Sequence, residues 1–77
     1  MNKERRKELE AIDALIATAK ERLEMVRDAE QEALDNLPES LQQGERGQAM
    51  EEAIGNLEST ISNLEDVASE IEGIINV

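Results

Sequence analysis

The sequence predicts an all-α protein: an antiparallel two-helix hairpin that assembles as a homodimeric four-helix bundle or coiled coil. Apolar and small residues recur at steps of three and four along two long segments, and the period-two alternation typical of strands is sustained nowhere. The connection between the segments is short, which favours helices that fold back antiparallel. Because 77 residues are too few for two domains, we expect a single helical-hairpin domain over residues 1–77.

The first helix is expected over about residues 3–36. Residues that favour helices dominate this segment, and Pro38 ends it by disfavouring the helical conformation of the residue before it. Glu30 interrupts the apolar stripe at a position that faces the core. This position predicts either a frayed end, where the carboxylate reaches solvent, or a buried polar residue that sets the register of the dimer or contacts Arg27 or Arg46 of the other chain. The stripe consists of Leu9, Ile12, Ile16, Ala19, Leu23, Val26, Ala33 and Leu37.

The connection is expected over about residues 37–44, and the sequence offers two ways to restart a helix. Ser40 followed by Gln43 fits a capping box, which would begin the second helix near Leu41. Alternatively, glycines interrupt the chain at 44 or 47, and residues 38–42 form only a single helical turn. We favour the second alternative, with a helix over about residues 45–75. Its stripe is unbroken and consists of Met50, Ile54, Leu57, Ile61, Leu64, Ala68, Ile71 and Ile75.

Further apolar residues flank both stripes and indicate assembly. Leu15, Ala29 and Leu34 flank the first stripe. The second is flanked at seven-residue spacing by Ala53, Thr60, Val67 and Ile74. Faces this wide suit a four-helix bundle, and two copies of the hairpin supply four helices. The predicted dimer core consists of Leu9, Ile12, Ile16, Leu23, Val26, Ile54, Leu57, Ile61, Leu64 and Ile71.

The composition argues against whole classes of function. Cys, His, Trp, Tyr and Phe are all absent, so the chain lacks a thiolate nucleophile, the commonest acid/base side chain and any platform for stacking bases. Its net charge of −11 is repelled by nucleic acid and by anionic membranes. We therefore expect no enzyme activity, no cofactor or metal, no direct nucleic-acid partner and no membrane partner. No signal-peptide pattern follows Met1, and a cytoplasmic location is the default expectation.

The charges are distributed unevenly along the predicted hairpin. The half that contains the termini, residues 1–23 and 59–77, has six cations against nine acids, a net charge of −3. The half that contains the connection, residues 24–58, has two against ten, a net charge of −8. We expect this loop end to bind a basic partner through Glu30, Asp35, Glu39, Glu45, Glu51, Glu52 and Glu58. The cations Lys3, Arg5, Arg6 and Lys7 are expected to lie beside the C-terminal end of the second helix and its acids Glu65, Asp66, Glu70 and Glu72.

Residues 36–42 (NLPESLQ) are preceded by 27–32 (RDAEQE) and followed by Gly44-Glu45, Met50-Glu51 and Ala53-Ile54. These segments resemble small acidic helical proteins of bacteriophages and mobile elements, which are mostly uncharacterised. The resemblance implies an origin and an architecture but no activity. Together with the acidic loop end, it predicts a non-enzymatic accessory protein that binds and inhibits a basic host protein, with carboxylates in place of DNA phosphates. The alternative is a structural or assembly coiled-coil module.

Overall fold

The computed structural model describes all 77 residues, and every regular element in it is a helix. Helix α1 spans Lys3–Asp35, the single turn α2 spans Glu39–Gln42, and α3 spans Glu45–Ile75. This confirms the predicted all-α class. The long helices differ from their expected bounds by one residue, at the end of α1. Neither carries an apolar stretch of the length and hydropathy that a bilayer crossing requires.

The helix ends follow from local hydrogen bonding. At the start of α1, the side-chain oxygen of Asn2 accepts a hydrogen bond from the backbone N–H of Arg5 at 2.8 Å, which satisfies one of the free donors of the first turn. After α1, Pro38 starts α2, and its carbonyl accepts from the backbone N–H of Leu41. Gly44 precedes α3 without a side-chain cap. The capping box considered for Ser40 and Gln43 is not formed, since α2 contains Ser40 and ends before Gln43.

The two long helices form an extended pair. The Arg6 guanidinium donates a hydrogen bond to the backbone carbonyl of Val77 at 3.2 Å, and the Lys20 ammonium lies 3.5 Å from a carboxylate oxygen of Glu65. Early residues of α1 therefore meet late residues of α3, so the two helices run in opposite directions. The pair measures 59 × 14 × 12 Å, which is the shape of a thin rod.

Helix α3 contacts α1 through the stripe that its sequence predicts. Residues 50, 54, 57, 61, 64, 68, 71 and 75 are all buried or half-buried, and Gly47 extends the series by one step toward the connection. Ile54 and Ile61 are buried, and with Leu34 of α1 they are the buried apolar side chains of the whole chain. The core is therefore narrow and lies near the connection and in the middle of the rod.

Helix α1 contacts α3 through a stripe that only partly matches the predicted one. The covered positions follow a seven-residue repeat that includes polar side chains: Arg6, Leu9, Asp13, Ile16, Lys20, Leu23, Arg27, Glu30, Leu34 and Leu37. Leu9, Ile16, Leu23 and Leu37 belong to the predicted stripe, and the predicted Ile12 is half-buried beside it. The predicted positions Ile12, Ala19, Val26 and Ala33 each lie one residue before a contact position. Val26 is 55% exposed, whereas Arg27 is half-buried. In the single chain, Val26 therefore lies outside the contact between α1 and α3, whereas Leu34, expected at the flank of the stripe, is buried in that contact.

The basic residues at the start of α1 pair differently from the expectation. Of Lys3, Arg5, Arg6 and Lys7, only Arg6 hydrogen-bonds to α3, and it does so through the carbonyl of Val77 and not through an acid. The Arg6 Nε is buried without a hydrogen-bond partner. The helix C-terminus carries partial negative charge, so this contact still places a cation where the dipole favours it. The expected ion pairs with Asp66, Glu70 and Glu72 are not formed.

Candidate functional site

A row of four glutamates runs along one side of α3, and with two glutamates of α1 it forms what we call the acidic face. Helical geometry spaces the members of the row by about 10.5 Å. On α1, Ala17 lies midway between the two glutamates in the seven-residue repeat, and it lines the same shallow cavity as Glu65 and Glu72. The two helices therefore contribute to one side of the rod. The acidic face consists of Glu51, Glu58, Glu65 and Glu72 of α3 and Glu10 and Glu24 of α1.

The register of the helix pair decides which acids of this face have a cation nearby. Lys20 forms an ion pair with Glu65. Moving seven residues along both helices brings Arg27 level with Glu58, but the Arg27 guanidinium instead binds the carboxylate of its neighbour Asp28 at 3.1 Å. Glu51 and Glu58 consequently have no ion pair. In the row on α3, Glu65 is thus the only carboxylate with an ion pair, and Glu51, Glu58 and Glu72 have none.

A step of seven residues in the other direction places two acids at the same level of the rod. Asp13 lies level with Glu72, and both line the shallow cavity between the helices, which has a volume of about 300 Å³. The small side chains of Ala17 and Ala68 leave this space open. Its polar lining consists of carboxylates, the ammonium of Lys20 and the hydroxyl of Ser69. No group of three or more His, Cys, Asp or Glu side chains converges in a metal-binding arrangement.

The predicted partner-binding residues do not form one patch. Glu51 and Glu58 belong to the acidic face, whereas Glu52 follows Glu51 on the outer side of α3. Asp35, Glu39 and Glu45 are exposed around the connection, in α1, α2 and α3 respectively, and Asp35 accepts a hydrogen bond from the Gln31 amide at 3.0 Å.

Glu30 is the exception among these residues. It is half-buried in the contact stripe of α1 and forms no ion pair. Its carboxylate is therefore less accessible to a partner than the exposed carboxylates of Glu51 and Glu58.

The opposite side of the rod is apolar. Four residues of each helix lie one position before a contact residue, on the side away from the acidic face, and none of them is charged. Leu15 and Ala29 widen the surface on α1, and Leu15 is 69% exposed. The hydroxyl of Thr60 donates to the carbonyl of Asn56 at 2.8 Å, so its polar group is satisfied within the helix. We call this surface the apolar face: Ile12, Leu15, Ala19, Val26, Ala29 and Ala33 of α1 and Ala53, Thr60, Val67 and Ile74 of α3.

The sequence divides the charge unevenly between the two ends of the rod. In the structure, the charge also differs between the acidic face and the opposite, uncharged side. Glu65 and Glu72 were assigned to the terminal half, yet they continue the row of Glu51 and Glu58. The seven-residue spacing of these four glutamates is visible in the sequence and could have revealed the row. No protein-family model, curated protein or solved structure matches this chain.

Proposed function

We propose that this chain is a non-enzymatic binding protein that presents carboxylates to a basic partner protein. In this proposal two antiparallel helical hairpins form a homodimeric four-helix bundle, and the acidic surface occupies a groove that the partner uses for nucleic acid. A nucleic-acid-binding enzyme of a host cell is the kind of partner that fits, in keeping with the resemblance to small acidic helical proteins of bacteriophages and mobile elements.

The row of glutamates on α3 is the observation that carries the proposal. Four carboxylates at regular spacing lie on one side of a straight rod, and α3 has no basic residue after Arg46 that could neutralise them. Like charges aligned in this way repel one another, and a basic partner would relieve the repulsion. Ions released from a basic groove on binding would add to affinity, as they do when the groove binds DNA.

The loop end of the row is the part we expect to contribute most. Glu65 is already compensated by Lys20, whereas Glu51 and Glu58 have no ion pair within the chain. A free carboxylate gains more from a cation of a partner than one that must first give up an internal cation. Asp35, Glu39, Glu45 and Glu52 add charge around the same end of the rod.

Capture from a bacterial lysate, followed by competition with duplex DNA, tests the proposal. We expect the immobilised protein to retain a basic nucleic-acid-binding protein at about 50 mM NaCl and to release it at about 500 mM, because screening removes charge-driven affinity. Duplex DNA should displace the purified partner from the immobilised protein. Retention that is insensitive to salt, or a partner that binds both ligands at once, would refute mimicry.

Two matched variants locate the surface. Glu51→Gln with Glu58→Gln removes two carboxylates without ion pairs at the loop end, whereas Glu65→Gln with Glu72→Gln removes two from the other end of the same row, where Glu65 is paired with Lys20. We expect the first variant to bind more weakly and to lower the slope of log affinity against log salt by about two, one for each lost contact. An equal loss in both variants, or a larger loss in the second, means that the loop end is not the site.

A structural or assembly module is the second candidate, and the exposed apolar face favours it. In that case the carboxylates only keep the assembly soluble. Binding would then be indifferent to both pairs of glutamine substitutions and would resist salt, because burial of apolar surface is not screened. The salt series therefore separates the two functions.

A further inference from the structure

The single chain exposes more surface than a folded protein of its mass. Its accessible surface is 5780 Å², whereas a monomeric globular protein of 8.6 kDa exposes about 4,700 Å². The excess is about 1,100 Å² for each chain. A stable interface of ordinary size buries about 800 Å² on each partner. The surplus is therefore of the size that a dimer would cover.

Much of the exposed apolar surface lies on one side of the rod. Leu15 and Val26 of α1 and Val67 and Ile74 of α3 are between 39% and 69% exposed, and all four belong to the apolar face. The side chains of the alanines between them are small and project little from the helices, so another helix could approach closely. Arg22 lies between Leu15 and Ala29 in the seven-residue repeat, at the outer margin of this face.

We infer that the apolar face is the surface through which two copies of this chain pack. The inference deepens the proposed function, on which it rests for the homodimer, by assigning the interface. Both helices of each copy contribute a row of uncharged residues, so two such faces related by a two-fold axis complement each other. The acidic face cannot serve instead, because its carboxylates would repel those of the second copy.

This arrangement directs the acidic faces outward on opposite sides of the bundle. One chain has a net charge of −11 over 59 Å, or about one charge per 5 Å, which is about a third of the linear density of duplex DNA. Two chains side by side double the density, to about one charge per 2.7 Å, without lengthening the rod. The dimer therefore comes closer to the charge of DNA than one chain can.

Neighbouring residues of α1 provide the test and its control. Val26 belongs to the apolar face, whereas Met25 is 70% exposed on the outer side of the same helix. By sedimentation equilibrium at micromolar concentration, we expect twice 8.6 kDa for the wild type and for Met25→Lys, and 8.6 kDa for Val26→Lys. A monomeric wild type, a dimeric Val26→Lys or equal dissociation of both variants overturns the inference.

Thiol reactivity provides a second measurement that needs no disruptive substitution. The chain has no cysteine, so one introduced thiol reports one position. We expect iodoacetamide to modify Thr60→Cys on the apolar face at least tenfold more slowly than Glu58→Cys on the acidic face, and dilution to abolish the difference. Equal rates at all concentrations overturn the inference. Neither experiment involves a partner, so a dimer that captures no basic protein would refute the proposed function and leave this interface standing.

Discussion

Asp13 occupies a half-buried position at which the contact stripe of α1 meets an acid of α3. At the equivalent position one repeat later, Lys20 pairs with Glu65, and the same register brings Asp13 level with Glu72. A cation at position 13 would therefore repeat the existing ion pair. The aspartate instead adds repulsion to a chain that already has a large negative charge.

We expect Asp13→Lys to stabilise the protein by about 0.5–1 kcal/mol, because it places a cation, in place of a second acid, in the cavity that Glu72 lines. At fixed protein concentration, this corresponds to a rise in melting temperature of about 2–8 °C. Glu21→Lys makes the same change of net charge at an exposed position and serves as the control. If the two variants melt at the same temperature, the proximity of position 13 to Glu72 contributes nothing locally.

Substitution of glycine by alanine should have opposite effects on stability at two positions of α3. A Cβ at Gly47 would overlap the backbone of Gln42, because α2 passes directly over the first turn of α3, whereas a Cβ at Gly55 would meet nothing within 4 Å. We expect Gly47→Ala to destabilise by about 1–3 kcal/mol, as overpacking does. Gly55→Ala should stabilise by about 0.5–1 kcal/mol through helix propensity. Urea unfolding followed by circular dichroism measures both, and a neutral Gly47→Ala would show that α2 can move away.

The contact positions between the two long helices are predicted more completely from the sequence of α3 than from that of α1. Every contact position of α3 carries an apolar residue or glycine, so the repeat was readable without knowing the partner. In α1, Asp13, Lys20 and Arg27 occupy contact positions, and a search for apolar residues shifts to the neighbours at 12, 19 and 26. Long polar side chains can cover a seam with their stems while the charge reaches solvent. Hydrophobicity alone does not identify such positions.

The connection is held by a side chain that the sequence did not single out. The amide of Gln42 donates to the carbonyls of Leu37 at 2.9 Å and Asp35 at 3.4 Å, so it satisfies acceptors that the end of α1 leaves free. The sequence drew attention to Ser40 and Gln43 instead, because a capping box is a local pattern. The contact of Gln42 depends on how the chain turns between α1 and α2, which no local pattern records.

We expect Gln42→Leu to destabilise the protein by about 1–2 kcal/mol, because it leaves a partly buried carbonyl without its donor. Gln43→Leu removes an amide that makes no hydrogen bond and should change stability by less than about 0.5 kcal/mol. Thermal unfolding of both variants at one protein concentration compares them. Equal effects would mean that the Gln42 amide does not hold the connection.

At the scale of the whole molecule, the excess of negative charge opposes folding, and in the proposed function it favours capture of a basic partner. The excess of acids was countable from the sequence, but its division between an acidic face and an apolar face required the register of two helices. The sequence located the excess at the loop end, where Glu51 and Glu58 are indeed without ion pairs. The sequence also places Glu30 at a core-facing position, and Glu30 is half-buried in the contact stripe, so it is withdrawn from that surface.

Stability and partner binding should respond to salt in opposite directions. From about 50 mM to about 500 mM NaCl, we expect the melting temperature to rise, because the self-repulsion of a chain with net charge −11 is screened. Over the same range, the affinity for a basic partner should fall. Circular dichroism at a series of salt concentrations measures the first effect. A melting temperature that falls with salt would indicate that the ion pair of Lys20 with Glu65 outweighs the repulsion.

The elongated shape determines what scattering experiments would record. The radius of gyration is 17.4 Å, which a compact protein reaches only at about 230 residues, so elution volume would exaggerate the mass of a single chain. Side-by-side association at a helix-packing distance of about 10 Å raises this radius by less than about 1 Å, whereas end-to-end association nearly doubles it. In small-angle X-ray scattering, packing through the apolar face therefore doubles the forward intensity while the radius of gyration stays almost constant.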